Sequence, residues 1–272
     1  MIERILTALI AVPAILALTY FGGFWFLFLV LAISLVALNE FYNLVKQKGF
    51  NPYYTVGNLF SALLLISTFF SGNSYLWERN IIFILTSAVI VSFCTAVFIR
   101  RRSQATANVS LTLLGVVFVG LLFSYLILIR SLTLHGKYLF MLMVVLWVSD
   151  TLAYFIGKTI GRHQLSQYIS PKKTIEGAVA GLFGAILSTV AFYYLIEPNS
   201  GFEMLKHYLI LGFFAGVLGQ MSDLSESLIK RDVGAKDSSN IVPGHGGVLD
   251  RMDSFIFSAP FFYYYLKFFV MR

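Results

Sequence analysis

The residues of this chain that could do chemistry concentrate between residues 222 and 253, in the stretch SDLSESLIKRDVGAKDSSNIVPGHGGVLDRMD. This stretch holds six of the thirteen carboxylates of a chain in which only 12% of the residues are charged. Carboxylate oxygens bind hard divalent cations, whereas Lys, Arg and glycine-rich backbone bind phosphate oxygens. The composition of the stretch therefore predicts a site for phosphate and a metal ion.

The first part of the stretch has the periodicity of a helix with one polar face. Asp223, Glu226, Ser227 and Lys230 follow the spacing i, i+3, i+4 and i+7, which aligns side chains along one side of a helix. The segment before them is apolar, and charges inside a membrane helix are costly unless they face water or a partner. We expect this face to line a polar cavity that enters the bilayer, with the carboxylates of Asp223 and Glu226 in it. An ion pair between Lys230 and one of the two acids, without any ligand, is the alternative.

The loop after this helix combines cations with glycines. Gly246 and Gly247 allow the backbone to approach an anion closely, and Pro243-Gly244 indicates a turn. His245 fits a phosphate donor, a general base or a loop hydrogen-bonding residue, and the sequence alone does not choose. The basic residues suited to phosphate oxygens are Lys230, Arg231, Lys236 and Arg251.

Two further carboxylates, Asp250 and Asp253, stand three residues apart at the start of the last apolar segment. Acidic residues at a helix start can cap the helix and interact with its dipole, so capping is a serious alternative for Asp253. For Asp250 we favour metal binding, because Mg²⁺ is the usual partner where carboxylates and phosphates share a site.

A second polar segment, GKTIGRHQLSQYISPKKTIEG, places Lys172 and Lys173 just before a helix. Cations at a helix N-terminus suit an anion, and a basic cluster that holds lipid headgroups is the alternative. Upstream, Asp150 lies in the apolar run LFMLMVVLWVSDTLAYFIGK, roughly 12 Å from the helix end at the helical rise. That depth predicts a polar cavity or a cationic partner, with a structural hydrogen bond to a neighbouring helix as the alternative.

The elements that must position these residues are membrane helices. Of the 272 residues 58% are hydrophobic, and the repeated apolar runs near twenty residues match the hydrocarbon thickness of a bilayer. We expect an all-α, polytopic transmembrane bundle of about nine spans, without a separate soluble domain. The predicted spans are about 1–21, 22–40, 54–71, 80–99, 109–129, 137–157, 175–196, 207–229 and 251–270.

The distribution of charge predicts an orientation and a division of labour. With the N-terminus in the cytoplasm, most of the twenty basic residues lie inside, as the positive-inside rule requires. The polar loops 158–174 and 230–250 then face the cytoplasm together. We expect residues 1–135 to form a largely structural half, and residues 136–272 to form a catalytic half with a cytoplasm-facing cavity. The net charge of +7 fits anionic headgroups better than nucleic acid, and the single cysteine excludes an internal disulfide.

The run from Ser227 to Asp253 resembles the signature of the phosphatidate cytidylyltransferase (CDP-diacylglycerol synthase) family. The residues that carry the resemblance are Ser227, Lys230-Arg231, Lys236-Asp237, Pro243, His245-Gly246-Gly247, Asp250-Arg251 and Asp253. The segment from Asp150 to Gly177 is similar to a second region that the family shares. In the N-terminal half, Asn39-Glu40-Phe41 at a helix end is also similar to family members.

The resemblance implies a membrane nucleotidyltransferase of phospholipid biosynthesis that converts CTP and phosphatidate to CDP-diacylglycerol and diphosphate with Mg²⁺. A second metal or a monovalent cation fits the same picture, as does a homodimer in the cell (inner) membrane with its active site facing the cytoplasm. The metal ligands would be Asp223 and Asp250, with Glu226 and Asp253 as further candidates. Catalytic roles fall to Asp223, Lys230, Arg231, Asp250 and Arg251. Substrate-binding roles fall to Asp150, Lys172, Lys173, Ser227, Lys236, Asp237, His245, Gly246 and Gly247.

Two other functions remain open at this point. A CTP-dependent polyprenol or phytol kinase also handles CTP near a lipid, and its alcohol acceptor would need a base such as His245 or Asp150. An ion or lipid transporter could use intramembrane carboxylates as a translocation path. The polar groups gather toward one face of the predicted bundle, whereas a transporter should carry them through to the other.

Overall fold

Nine helices and one small sheet make up the described part of the chain. The computed structural model describes residues 2–72, 74–99, 103–198, 200–239, 241 and 246–271, with side chains from Leu9 onward. The helices are α1 Ile2–Phe21, α2 Gly23–Gln47, α3 Tyr54–Ser71, α4 Tyr75–Phe98, α5 Ala105–Ser131, α6 Lys137–Ile160, α7 Ile175–Ile196, α8 Gly201–Asp232 and α9 Leu249–Tyr265. Between α6 and α7, strands β1 Gln164–Ser166 and β2 Ser170–Thr174 pair in antiparallel fashion. The predicted all-α architecture is confirmed.

Seven of these helices, α2 to α8, are long and apolar enough to cross a membrane. In α1 the described apolar part is the shorter Leu9–Phe21, and α9 has 17 residues before a π-helical turn at Leu266–Val270. Each helix coincides with one predicted apolar run. The largest differences are at α2, which ends at Gln47 rather than near 40, and at α8, which begins at Gly201 rather than near 207. At both places the helix continues through charged residues that an apolar window excludes, Lys46 in α2 and Glu203 and Lys206 in α8.

The chain divides into two compact units, and the first contains Met1–Gly136 together with Asp232–Met252. Its core includes the fully buried side chains of Leu38, Tyr42 and Leu64. The Tyr42 hydroxyl donates a 2.8 Å hydrogen bond to the carbonyl oxygen of Thr112, which ties α2 to α5. The N-terminal helices and the glycine-rich loop before α9 therefore belong to one unit. The predicted structural role of residues 1–135 stays a prediction.

The second unit contains Lys137–Arg231 and Asp253–Arg272. In this unit α6 and α7 approach closely where glycines leave room. A Cβ atom on Gly177 would lie 2.6 Å from the carbonyl oxygen of Ala153, and one on Gly181 would lie 2.9 Å from that of Ser149. Thr174 caps α7, since its hydroxyl accepts the N–H of Gly177 at 3.1 Å. This close, capped pairing fixes the hairpin that leads into α7.

Candidate metal and phosphate site

Three carboxylates from two helices come together in the second unit. One oxygen from each of Asp223, Glu226 and Asp253 lies within 4.8 Å of the other two. Asp223 and Glu226 share a face of α8 because they are three residues apart, and Asp253 lies in the first turns of α9. Of the four predicted metal ligands, these three form one group, which we call the acidic cluster.

Two buried serines hold the acidic cluster in place. The Ser222 hydroxyl, on α8, donates to the main-chain carbonyl of Asp253 and accepts the N–H of Phe257 at 3.3 Å. The Ser254 N–H donates to Asp253 Oδ1 at 2.6 Å. Neither serine was predicted from the sequence. Each adjoins an acid in the sequence, but buried serines are also common in plain helix packing.

Two lysines offset the charge of the acidic cluster. Lys173 pairs with Asp223, and Lys230 Nζ lies 2.5 Å from Glu226 Oε2. The Glu226 side chain is fully buried and that of Lys230 is 10% exposed, so solvent screens their interaction little. Three carboxylates at this separation repel one another, and two ammonium groups leave one negative charge in excess. The predicted alternative of a Lys230 pair with Glu226 is thus present, but within a larger charged group.

Asp150 reaches the same region from α6. The Ser254 hydroxyl lies 3.3 Å from Asp150 Oδ2 and 3.2 Å from Asp253 Oδ1. Because a hydroxyl has a single proton, it donates to one of these carboxylates at a time. Ser227, one turn along α8, places its hydroxyl 3.5 Å from Asp223 Oδ1. The structure therefore brings both predicted residues, Asp150 and Ser227, beside the acidic cluster.

The two predicted lysines of the hairpin point in different directions. Lys172 and Lys173 are successive residues of β2, and successive side chains of a strand lie on opposite faces. Lys173 pairs with Asp223, whereas Lys172 is exposed. At the end of α8, Arg231 Nε donates to the carbonyl oxygen of Ile169 at 3.2 Å, so the hairpin turn is fastened to that helix.

Asp250 lies in the first unit, where it organises the glycine-rich loop. Its Oδ2 accepts hydrogen bonds from the N–H of Ser238 at 2.9 Å, the hydroxyl of Ser238 at 2.8 Å and the N–H of Gly247 at 2.8 Å. Gly246 has a φ of +85°, a conformation that favours glycine. These contacts join two predicted loop residues, Gly247 and Asp250. The predicted metal role of Asp250 stays a prediction.

The remaining predicted residues are either exposed or outside the described part of the chain. The side chains of Lys236, Asp237 and Arg251 are exposed. Pro243 and His245 fall outside the described residues. Exposure is compatible with binding a phosphate from solvent, since Lys and Arg are common phosphate ligands.

The acidic cluster fits a hard divalent cation. Its three candidate ligands are all carboxylates, the oxygen donors that Mg²⁺ and Ca²⁺ take. The excess negative charge beside Lys173 and Lys230 would be offset by such an ion. Lysines at the same place can also bind phosphate oxygens. The arrangement suits a reaction in which anionic groups are brought together and one anion departs.

Comparison with known proteins gives similarities along nearly the whole chain. A model described as the cytidylyltransferase family matches residues 2–269. A phosphatidate cytidylyltransferase of Bacillus subtilis is 35% identical over 271 residues, which cover 98% of each chain. One from Staphylococcus haemolyticus is 34% identical over 94% of this chain and 95% of its own. One from Synechocystis sp. is 31% identical over 97% of this chain and 96% of its own.

Proposed function

The chain belongs to the cytidylyltransferase family, and on that premise we propose that it transfers the cytidylyl group of CTP to phosphatidate. The products are CDP-diacylglycerol and diphosphate. The chain is an integral membrane enzyme of the nucleotidyltransferase class, as the signature predicted. The observation that supports the reaction best is the acidic cluster of Asp223, Glu226 and Asp253 with two lysines among apolar helices.

The chemistry is an in-line exchange at phosphorus. A phosphate oxygen of phosphatidate attacks the α-phosphorus of CTP, and the bond from that phosphorus to the bridging oxygen of the β-phosphate breaks. Diphosphate leaves with the electron pair of that bond. The second pKa of a phosphate monoester is near 6, so phosphatidate is largely a dianion at neutral pH and needs no strong base. Charge neutralisation and alignment are therefore the main tasks of the protein.

The residues of the second unit supply that neutralisation. Lys173 and Lys230 pair with carboxylates, and we propose that they exchange those partners for phosphate oxygens when the substrates bind. A divalent cation held by Asp223, Glu226 and Asp253 would add positive charge beside the phosphates. Ser222 and Ser254 keep the cluster in register between α8 and α9.

Several finer features belong to the same proposal. The cation is Mg²⁺, the usual ion where carboxylates and phosphates meet. The protein lies in the cell membrane with its active site on the cytoplasmic side, which the positive-inside distribution of basic residues supports. Phosphate binding by Lys172, Arg231, Lys236, Gly246, Gly247 and Arg251, and a homodimeric state, rest on the sequence and the resemblance.

Labelled CTP tests the reaction and separates it from the kinase alternative. Purified protein in detergent with Mg²⁺ is given CTP labelled at the α-phosphate or at the γ-phosphate, with phosphatidate or a polyprenol as acceptor. We expect the α-label, and not the γ-label, to enter a lipid product, and only with phosphatidate. Transfer of the γ-label to the polyprenol would instead establish a kinase. Ion or lipid uptake into vesicles without CTP turnover would establish a transporter.

A further inference from the structure

A carboxylate at the base of the β1–β2 hairpin has no part in the proposed reaction. Glu176 lies in the first turn of α7, and its side chain is 25% exposed. Its partner is His163, the residue just before β1. The hairpin between them carries Lys173, which pairs with Asp223 of the acidic cluster. The contacts of Glu176 therefore bear on where that lysine is held.

The main chain of His163 is tied at both of its polar groups. Its N–H donates to the two carboxylate oxygens of Glu176, at 3.3 Å each, and its carbonyl oxygen accepts the N–H of Ile175 at 2.9 Å. The ring Nδ1 also lies 2.7 Å from Glu176 Oε1. Because the ring is 75% exposed, water weakens this contact, and the main-chain bonds hold more of the tie. Glu176 thus fastens the start of the hairpin to the start of α7.

The other strand of the hairpin packs at the same place. Thr174 ends β2 and is the register partner of Gln164 in β1. A Cβ atom on Gly161 would lie 2.6 Å from the Thr174 hydroxyl, and one on Gly157 would lie 2.8 Å from it. The two glycines at the end of α6 therefore leave room for the base of the hairpin.

Strand β2 runs beside the last turns of α8. Two attachments show this, one from the carbonyl oxygen of Ile169 to Arg231 and one from Lys173 to Asp223. On α8 they are eight residues apart, about 12 Å at the helical rise. On the hairpin they are four residues apart, about 13 Å at the rise of a strand. With the base at Glu176, the hairpin has three attachments.

Of these three attachments, the one at the base uses no residue with a role in the proposed reaction. Lys173 is proposed to exchange Asp223 for phosphate oxygens, and Arg231 is a proposed phosphate ligand. The ammonium group of a lysine stands on a flexible four-carbon stem, so the position of the strand must limit where it can go. The tie between Glu176 and His163 can persist while the substrates bind.

We propose that Glu176 is a positioning residue that fixes the base of the hairpin and so holds the Lys173 ammonium at the acidic cluster while phosphates replace Asp223. The proposal rests on the proposed function for the role of Lys173. The hydrogen bonds themselves assign the base of the hairpin to Glu176. Position matters at such a site, because a displacement of about 1 Å can lower a rate about 100-fold.

The variant Glu176→Ala removes the side-chain bonds to His163. We expect kcat to fall about 10-fold, less than the fall of about 100-fold expected for Lys173→Met, because the other attachments of the hairpin remain. Glu176→Gln keeps one oxygen for the His163 N–H and should lower kcat only about 3-fold. His163→Ala keeps the main-chain bonds and should behave in the same way.

Glu203→Ala is the matched control. Glu203 also lies in the first turn of a helix, α8, and pairs with a lysine, Lys206, but it contacts no part of the hairpin. Its replacement should change kcat less than about 2-fold. Amide hydrogen exchange over residues 162–174 should accelerate about 10-fold in Glu176→Ala and stay unchanged in Glu203→Ala.

A double-mutant cycle separates positioning from a general structural role. When Lys173 is already methionine, Glu176→Ala should lower kcat by no more than about 2-fold further, because the ammonium group that it positions is gone. If Glu176 acted independently of Lys173, the two losses would multiply to about 1,000-fold relative to the wild type.

Unchanged kcat in Glu176→Ala, multiplied losses in the double variant, or unchanged hydrogen exchange in the hairpin would each overturn the role of Glu176. If Glu176→Ala does not fold, Glu176→Gln and His163→Ala take its place in the same cycle. A wild-type protein that forms no CDP-lipid would instead refute the proposed function. Hydrogen exchange would still decide whether Glu176 fastens the hairpin.

Discussion

Replacing Lys230 by methionine tests whether Lys230 stabilises the acidic cluster and whether a divalent cation can bind there. Methionine preserves much of the apolar stem of lysine and removes its charge. Glu226 is fully buried, and Lys230 Nζ lies 2.5 Å from it. Removing one partner of a buried ion pair leaves the other uncompensated and costs about 3–5 kcal/mol. For a chain of this size that corresponds to a fall in Tm on the order of 10 °C.

The same helix provides the control. Lys206 pairs with Glu203 on α8 at 2.6 Å, but their side chains are 47% and 83% exposed. Exposed pairs contribute about 0–1 kcal/mol, so Lys206→Met should change the Tm by about 2 °C or less. Thermal unfolding of both variants and the wild type in one detergent measures the contrast.

Adding a divalent cation gives the second arm of the test. In EDTA, Lys230→Met leaves the acidic cluster with one more uncompensated negative charge than the wild type. Mg²⁺ binding to the folded state should restore positive charge and stabilise this variant more than the wild type. The difference in Tm between Lys230→Met and the wild type should therefore be smaller in millimolar Mg²⁺ than in EDTA. An equal fall in Tm in Lys230→Met and Lys206→Met would refute the electrostatic role of Lys230. The same Tm difference in EDTA and in Mg²⁺ would refute cation binding by the acidic cluster.

Three further predictions concern activity. Asp223→Asn should lower CDP-lipid formation by about 100-fold or more, because one cation ligand is lost, while the Tm in detergent stays near the wild-type value. Asp250→Asn is expected to have the same effect. Near-normal turnover in either variant would remove that residue from the metal site. Lys173→Met should reduce kcat by about 100-fold and Lys172→Met by far less, since Lys173 is the one of these two lysines that pairs with the acidic cluster. Equal reductions of kcat in the two variants would contradict the geometry of β2. Chelation with EDTA should abolish turnover and excess Mg²⁺ should restore it, and CTP-dependent product in EDTA would count against the cation.

The helices and the carboxylate stripe were predictable because they depend on local periodicity. The spacing of Asp223, Glu226 and Lys230 is enough to predict that the three side chains share a face of α8. Apolar runs of membrane length likewise locate the helices, since backbone groups in a bilayer must pair within the helix. The charged start of α8 was not predicted, because hydropathy does not show whether the charged residues next to an apolar run are helical.

Contacts between distant residues were beyond the reach of the sequence. Glu40 and Ser238 are 198 residues apart, and nothing in either segment indicates the hydrogen bond between them. The different roles of Lys172 and Lys173 depend on a hairpin with strands of three and five residues, too short for an alternating pattern to be recognised. The sequence favoured Asp250 over Asp253 as a metal ligand. It could not show that Asp253 joins Asp223 and Glu226, or that Asp250 accepts three hydrogen bonds from Ser238 and Gly247.

Binding of Mn²⁺ is the most direct test of the claim that the acidic cluster holds the divalent cation. Electron paramagnetic resonance follows free Mn²⁺ as detergent-solubilised protein is titrated, without nucleotide or lipid. We predict saturable binding to the wild type that weakens at least about 10-fold in both Asp223→Asn and Asp253→Asn, with the Lys206→Met control unchanged. Wild-type affinity in both aspartate variants, with their helical content intact, would contradict the account.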